Sequence, residues 1–427
     1  MSVTRVSDPW TLVCHMAFSD HGRVGIVSNQ GGSTRADTLT AAAATGAEHA
    51  PLFLGVTGDA KAILLDPVSK GVQVSDALPS DAVPAYAYRD PAGQSLWFMN
   101  DGDEETGCDE LNCGTRGSSV TVVRNTGNDS QPAEFLATVC VGRGHHVTTF
   151  TGPSPQAPEV PQNAYVSNLL DGTISVIGNN PADTDTYLKV FETINLHDPK
   201  RDKDAGTPEL NNAFPHGKVF SSYYGMLYSL NNGYGTVNVI EPVSNKIIET
   251  LPLPVSSNLL LSPNGRYIIG KGADRKSDPE HVMGRLTIMD AGAGQTMGTL
   301  DLPDFYPSTY RFNADGTKLY VTSAATGKGP QRDHLKTHVI MVFDSSALPN
   351  LALMKEVTVG RADCGRRPLA FLTSPGEAPL VFIPNPTDGS VSLLDGRMDS
   401  VIETVTIAEQ PISEVNFSFW DRAVSGA

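Results

Sequence analysis

The feature that most constrains this chain is a unit that recurs along it: a short apolar strand, a tight Gly/Asn turn, a second strand, then a third ending near an aspartate. The plainest copy is "NLLLSPNGRYIIGKG", followed by "GRLTIMD" and "QTMGTLDLPD". "YRFNADGTKLYVTSA" repeats it, with "THVIMVFD" and "ALMKEVTVG" behind it. Further copies start at "AYAYRDPAGQSLWFMND", "NAYVSNLLDGTISVIGNN", "KVFSSYYGMLYSLNNGYGTVNVIEPVSNKIIETLPL" and "LAFLTSPGEAPLVFIPNPTDGSVSLLDG". Turns such as S-P-N-G and N-A-D-G favour tight reversals, so each unit supplies four strands in meander order. A unit of this size cannot bury its own apolar faces and must stack on its neighbours.

Composition agrees with many short strands rather than a helical bundle: 40 Gly, 30 Pro and 18% charged residues, with apolar runs that are short and interrupted. No window approaches the roughly 20 apolar residues of a membrane span. With 31 Lys+Arg against 47 Asp+Glu the net charge is -16, which argues against a nucleic-acid surface, since phosphate neutralisation needs clustered cations.

Six complete units fit within residues 81–410, with first strands starting near Pro84, His146, His216, Ser257, Ser308 and Arg367. A seventh first strand, "SEVNFSFWD" at 413–421, is followed by almost nothing, so its partners must come from residues 1–80: "TLVCHMAFSD", "GRVGIVSNQ", "AKAILLD" and "GVQVSD". Joining the chain ends within one blade leaves no open edge. The pattern predicts an all-β chain, a single seven-bladed β-propeller domain over 1–427, with four-stranded antiparallel blades and a closing blade from 1–80 plus 411–427. An eight-bladed count is the alternative, because "HAPLFLGVTGDAKAILLDP" also reads as a first and second strand. The Ala-rich "STRADTLTAAAATG" is expected as a surface loop or as a short helix capped by Ser33 or Thr34.

"NAYVSNLLDGTISVI", "KLYVTSA" and "LYSLNNGYGTVNVI" closely resemble YVTN-type repeats. Over about residues 80 to 420 the chain resembles the YVTN/lactonase-like β-propeller superfamily. The resemblance implies the fold far more strongly than the activity, for which lactone hydrolysis is the familiar precedent.

First strands of a propeller line its central channel, so equivalent positions can be compared. Stepping back four residues from Tyr88, Phe150, Phe220, Leu261, Phe312, Phe371 and Phe417 gives Pro84, His146, His216, Ser257, Ser308, Arg367 and Ser413, all polar after the first. These positions, with the adjacent His145 and Arg366 and the tyrosines Tyr86 and Tyr310, are the expected funnel residues. In one reading His146 or His216 is a general acid/base and Arg367 holds a developing oxyanion. Tyr86, Ser257, Ser308, Tyr310, Arg366 and Ser413 then bind an anionic or phenolic small molecule. The reaction is non-redox: a lyase, isomerase, cyclase or lactone-hydrolase type. No G-x-S-x-G elbow or P-loop is present.

A second reading is a copper or zinc protein, with His145, His146 and His216 as ligands and His15, His49 or His281 completing the set. A tandem His pair opening one inner strand and a His on the next is similar to copper-binding propellers, but the later positions here are Ser257, Ser308, Arg367 and Ser413. The cofactor expectation is thus none, or one Cu/Zn ion. A third reading is a non-catalytic protein-binding propeller. The molecule is expected to be a monomer. A disulfide between Cys108 and Cys113 in "GCDELNCG", with Cys14, Cys140 and Cys364 standing singly, and the sequons at Asn128 and Asn416 lean towards a secreted or periplasmic form.

Overall fold

The computed structural model describes residues 84–92, 95–101, 118–128, 131–144, 147–202, 211–364, 367–372, 378–406 and 411, and beyond them the backbone strands named below. Between Pro84 and Thr406 the strands pair into six four-stranded antiparallel sheets, each a meander of consecutive strands. The sheet of Pro215–Ser221, Met226–Asn231, Thr236–Glu241 and Lys246–Pro252 shows why they form. Its second and third strands are almost wholly buried on both faces, whereas the fourth is mostly exposed. Two-sided burial requires neighbours on both faces, which is what stacked units provide.

Hydrophobic clusters fill the space between each pair of consecutive sheets. Trp97, Met99 and Val122 of one sheet pack on Ala164, Val166 and Ile177 of the next. Tyr165 and Val176 meet Leu227 and Ile240, and the pattern continues with Leu230 against Ile268, Ile269 against Leu319 and Tyr320 against Phe371. Each fully buried Leu, Ile, Val or Phe contributes about 1.5–3 kcal/mol, so these seams supply the main cohesion between sheets. The turns behave as their sequences imply: Gly265 and Gly316, in S-P-N-G and N-A-D-G, sit at φ +71° and +72°, where only glycine is unstrained.

Two further four-stranded sheets form outside this region. Ser2–Ser7, Val13–Ser19 and Gly22–Asn29 pair with Glu414–Trp420 from the other chain end. Leu39–Ala43, Leu52–Val56, Lys61–Leu65 and Val72–Ser75 form a sheet of their own. The pairing therefore gives eight four-stranded sheets, the alternative count, where seven blades were the first expectation. The Ala-rich stretch, expected as helix or loop, contains an extended strand at Leu39–Ala43 that gives Leu52–Val56 a partner. Among the described residues the one helix is the single turn Gln331–His334, and no helix is long and apolar enough to cross a membrane.

Candidate functional site

Two connections between sheets are clasped in the same way. The carboxylate of Asp171 accepts the Arg143 main-chain N–H (2.7 Å) and its Nε–H (2.7 Å). Asp388 does the same for Arg361, at 2.7 and 3.1 Å. The preceding Gly142 and Gly360 are required by crowding: a Cβ on either would lie 2.7 Å from the clasping Asp Oδ2. The signal lies in the sequence as V-G-R (141–143 and 359–361) followed by N-x-x-D-G (168–172 and 385–389), two patterns whose pairing only the structure reveals. The clasped connections lead into His145 and His146 in one case and Arg366 and Arg367 in the other. His145, His146 and Arg366 lie outside the described residues, as do His49, Ser413 and the side chain of His15.

His216 sits at a β-bulge. The register with the second strand slips between Pro215 and Lys218, which turns the intervening His216–Gly217 pair out of the ladder. Gly217 has φ +92°, and a Cβ there would lie 2.7 Å from Asn258 Oδ1 and 3.0 Å from the Leu259 nitrogen. This first strand therefore approaches the next one closely. Gly217→Ala is expected to cost on the order of 1–3 kcal/mol through backbone strain and this contact. Urea denaturation of the variant checks the figure, and an unchanged midpoint would show that the bulge relaxes freely.

The half-buried His216 ring places Nδ1 3.1 Å from the Ser257 carbonyl oxygen. That oxygen can only accept, so Nδ1 carries a proton, and in the neutral ring the lone pair is left on Nε2. Ser257 in turn contacts Lys271, its N–H and Oγ both reaching the Lys271 carbonyl. Lys271 Nζ donates to the Pro307 carbonyl at 3.3 Å, beside Ser308. His216, Ser257 and Ser308, grouped by their common register, are thus linked across three consecutive sheets. A second bulge, between Pro307 and Tyr310, carries Ser308.

A cavity of about 470 Å³ opens here, lined by Asn258, Lys271, Ser308, Thr309, Tyr310 and Arg311 together with Leu259, Leu260 and Phe312. Its cations are not among the residues expected from sequence. Burial lowers the Lys271 ammonium to about 8 and depresses Arg311 as well. Lys218, two residues after His216, is buried with Nζ 2.6 Å from the Val147 carbonyl, and burial brings it to about 7. A cation inside an otherwise apolar first or second strand, as in "HGKVF", "IIGKG" and "TYRF", is the signal that could have found them.

Lys218 makes stability depend on pH in an unusual direction. Its folded value near 7 lies below the unfolded value of about 10.4, so between these limits the unfolded chain binds more protons. This contribution makes stability rise from pH 7 towards pH 10. Lys218→Met is expected to flatten that rise, read from denaturation midpoints at pH 7 and pH 9. An identical slope in the variant would assign the rise to other groups.

The geometry bears on three of the expected residues. Arg367 is 1% exposed, and its Nε and Nη1 donate to the carbonyls of Pro384 and Thr337, both at 2.9 Å, while Nη2 donates to Gly360. With its guanidinium committed to main-chain oxygens, Arg367 braces two sheets rather than holding an anion. Tyr310 donates its hydroxyl to the Ile269 carbonyl at 2.9 Å and is buried, which raises it well above its ordinary value, so its ring lines the cavity while its phenol is occupied. His281 is exposed, pairs with Asp304 (Nδ1 to Oδ1 2.8 Å) and lies with its ring beside that of His334. Among the described residues no three His, Cys, Asp or Glu side chains converge as metal ligands. Tyr86 packs beside Tyr88 against the Trp97 cluster. Cys140, expected to stand singly, is disulfide-bonded; Cys108 and Cys113 lie outside the described residues.

Sheets of four antiparallel strands, stacked face to face with buried middle strands, define a β-propeller. No protein-family model matches the chain, and no curated protein does. Among solved structures it is similar to a periplasmic gluconolactonase of Pseudomonas aeruginosa, with 16% identity over 90% of this chain and 99% of that one and a TM-score of 0.54. A Bacteroides fragilis protein named as a candidate 6-phosphogluconolactonase matches with 13% identity, 91% and 100% coverage and a TM-score of 0.52. A dihydro-heme d1 dehydrogenase matches with 12% identity, 96% and 76% coverage and a TM-score of 0.56. At these identities the likeness is one of fold.

Proposed function

We propose that the protein is a small-molecule enzyme of the lactone-hydrolase type, with its site at the funnel formed by the starts of the first strands. The observation that carries this reading is the fixed tautomer of His216, bonded to Ser257 next to Asn258, which lines the cationic cavity. Nε2 accepts a proton from water as the water oxygen attacks the lactone carbonyl. The oxyanion that forms is stabilised by the cationic wall of Lys271 and Arg311, and the imidazolium returns the proton to the ring oxygen as the ester bond opens. The same wall favours substrates bearing a carboxylate or phosphate, and about 470 Å³ suits a sugar-sized lactone. His145, His146, Arg366 and Ser413 are proposed to complete the funnel. The gluconolactonase named among similar folds supports the reaction class. The disulfide at Cys140 supports an exported protein, since such bonds persist in oxidising compartments.

The test is acid release from a panel of aldonolactones, phosphorylated and not, beside a neutral aliphatic lactone. Hydrolysis above the buffer rate, fastest for an anionic member, is expected. No acceleration with any of them would reject the proposal.

A further inference from the structure

We propose that Lys271 is a carbonyl-reactive amine, forming an imine with small 2-oxo acids admitted to the cavity it lines. This goes beyond hydrolysis: it uses the neutral Lys271 amine as a nucleophile, where hydrolysis uses its ammonium as a charge.

Four observations meet at this side chain. Lys271 lines a space large enough for a small organic acid. Its Nζ has a long contact to one carbonyl, Pro307, and lies 5.5 Å from the Tyr310 ring centre. No carboxylate pairs with it among the described residues, although acidic residues outnumber basic ones in this chain. Arg311, a second cation, lines the same cavity. An ammonium buried away from water, with no carboxylate partner among the described residues, loses its proton easily, and the value near 8 to which burial lowers it agrees. The neutral amine is the nucleophile that carbonyl chemistry needs. The positive charge of Arg311 on the same wall favours an oxo acid over a simple ketone.

In the step itself, the Nζ lone pair attacks the keto carbon, the C–N bond forms as the C–O π bond breaks, and one nitrogen proton passes to that oxygen. The second nitrogen proton passes to the resulting hydroxyl, which leaves as water as its C–O bond breaks and the nitrogen lone pair closes the C=N bond. No oxidant or reductant is needed.

Lys218 supplies an internal control. Burial lowers it further than Lys271, yet it does not line this cavity and is held by the Val147 carbonyl. If access to a cavity is what matters, Lys218 stays unmodified.

The experiment incubates the full chain with pyruvate and sodium cyanoborohydride, which reduces the imine to a stable secondary amine, followed by intact-mass measurement and peptide mapping. One adduct per chain is expected on the peptide containing Lys271, reduced at least tenfold when acetone replaces pyruvate and absent from Lys271→Arg. Mapping of the unaltered protein stands even where that variant fails to fold. An adduct spread over surface lysines, an adduct on Lys218, or none at all overturns the proposal. The readout is a covalent mass, so it succeeds or fails independently of lactone hydrolysis.

Discussion

His216→Asn is expected to slow lactone hydrolysis by about 100- to 10,000-fold, the usual range for a lost general acid/base, with the fold retained. Asparagine is informative because its amide N–H can replace Nδ1–H as donor to the Ser257 carbonyl while nothing replaces Nε2. The bulge at Pro215–Lys218 and the close approach at Gly217 do not depend on the ring. The rate of acid release and the melting temperature should therefore separate, the first collapsing and the second moving little. Activity within threefold of the parent would remove His216 from the mechanism. A loss of rate matched by unfolding would make its bond to Ser257 a structural one.

Arg367→Met is expected to destabilise the protein by about 3–5 kcal/mol, because three main-chain carbonyls lose their donor at once. The methionine fills part of the volume but leaves the carbonyls of Pro384, Thr337 and Gly360 without their donor, each at a cost of about 1–3 kcal/mol before relaxation. Thr337 and Gly360 flank strands of one sheet and Pro384 lies in the next, so the loss falls on the seam holding Tyr320 against Phe371. Denaturant unfolding measures it. A loss below about 1 kcal/mol, accompanied by weakened substrate binding, would return Arg367 to the anion-holding role its sequence position suggested.

The repeats made the sheets between Pro84 and Thr406 legible, because turn chemistry and strand alternation are local properties. Counting failed where local signals were weakest: Leu39–Ala43 is alanine-rich and strand-poor by composition, and only pairing with Leu52–Val56 makes it a strand. His216, Ser257 and Ser308 could be grouped from sequence because a shared register marks the residues that open the first strands. Register does not say where donors point: the polar atoms of Arg367 and Tyr310 turn towards main-chain carbonyls. Lys218 and Lys271 were passed over because a lysine in a strand is ordinarily solvated, and their burial is a product of stacking.

The two aspartate clasps have a consequence for how such a surface changes over time. Asp171 and Asp388 grip the backbone and side chain of one arginine each, so the path of the chain is set before the next residues begin. Beyond the gripped arginine the chain reads Gly-His-His in one case and Ala-Asp-Cys-Gly-Arg-Arg in the other. A common hinge pin thus carries interchangeable tips, and chemistry can be rewritten at the tips without renegotiating the frame that presents them.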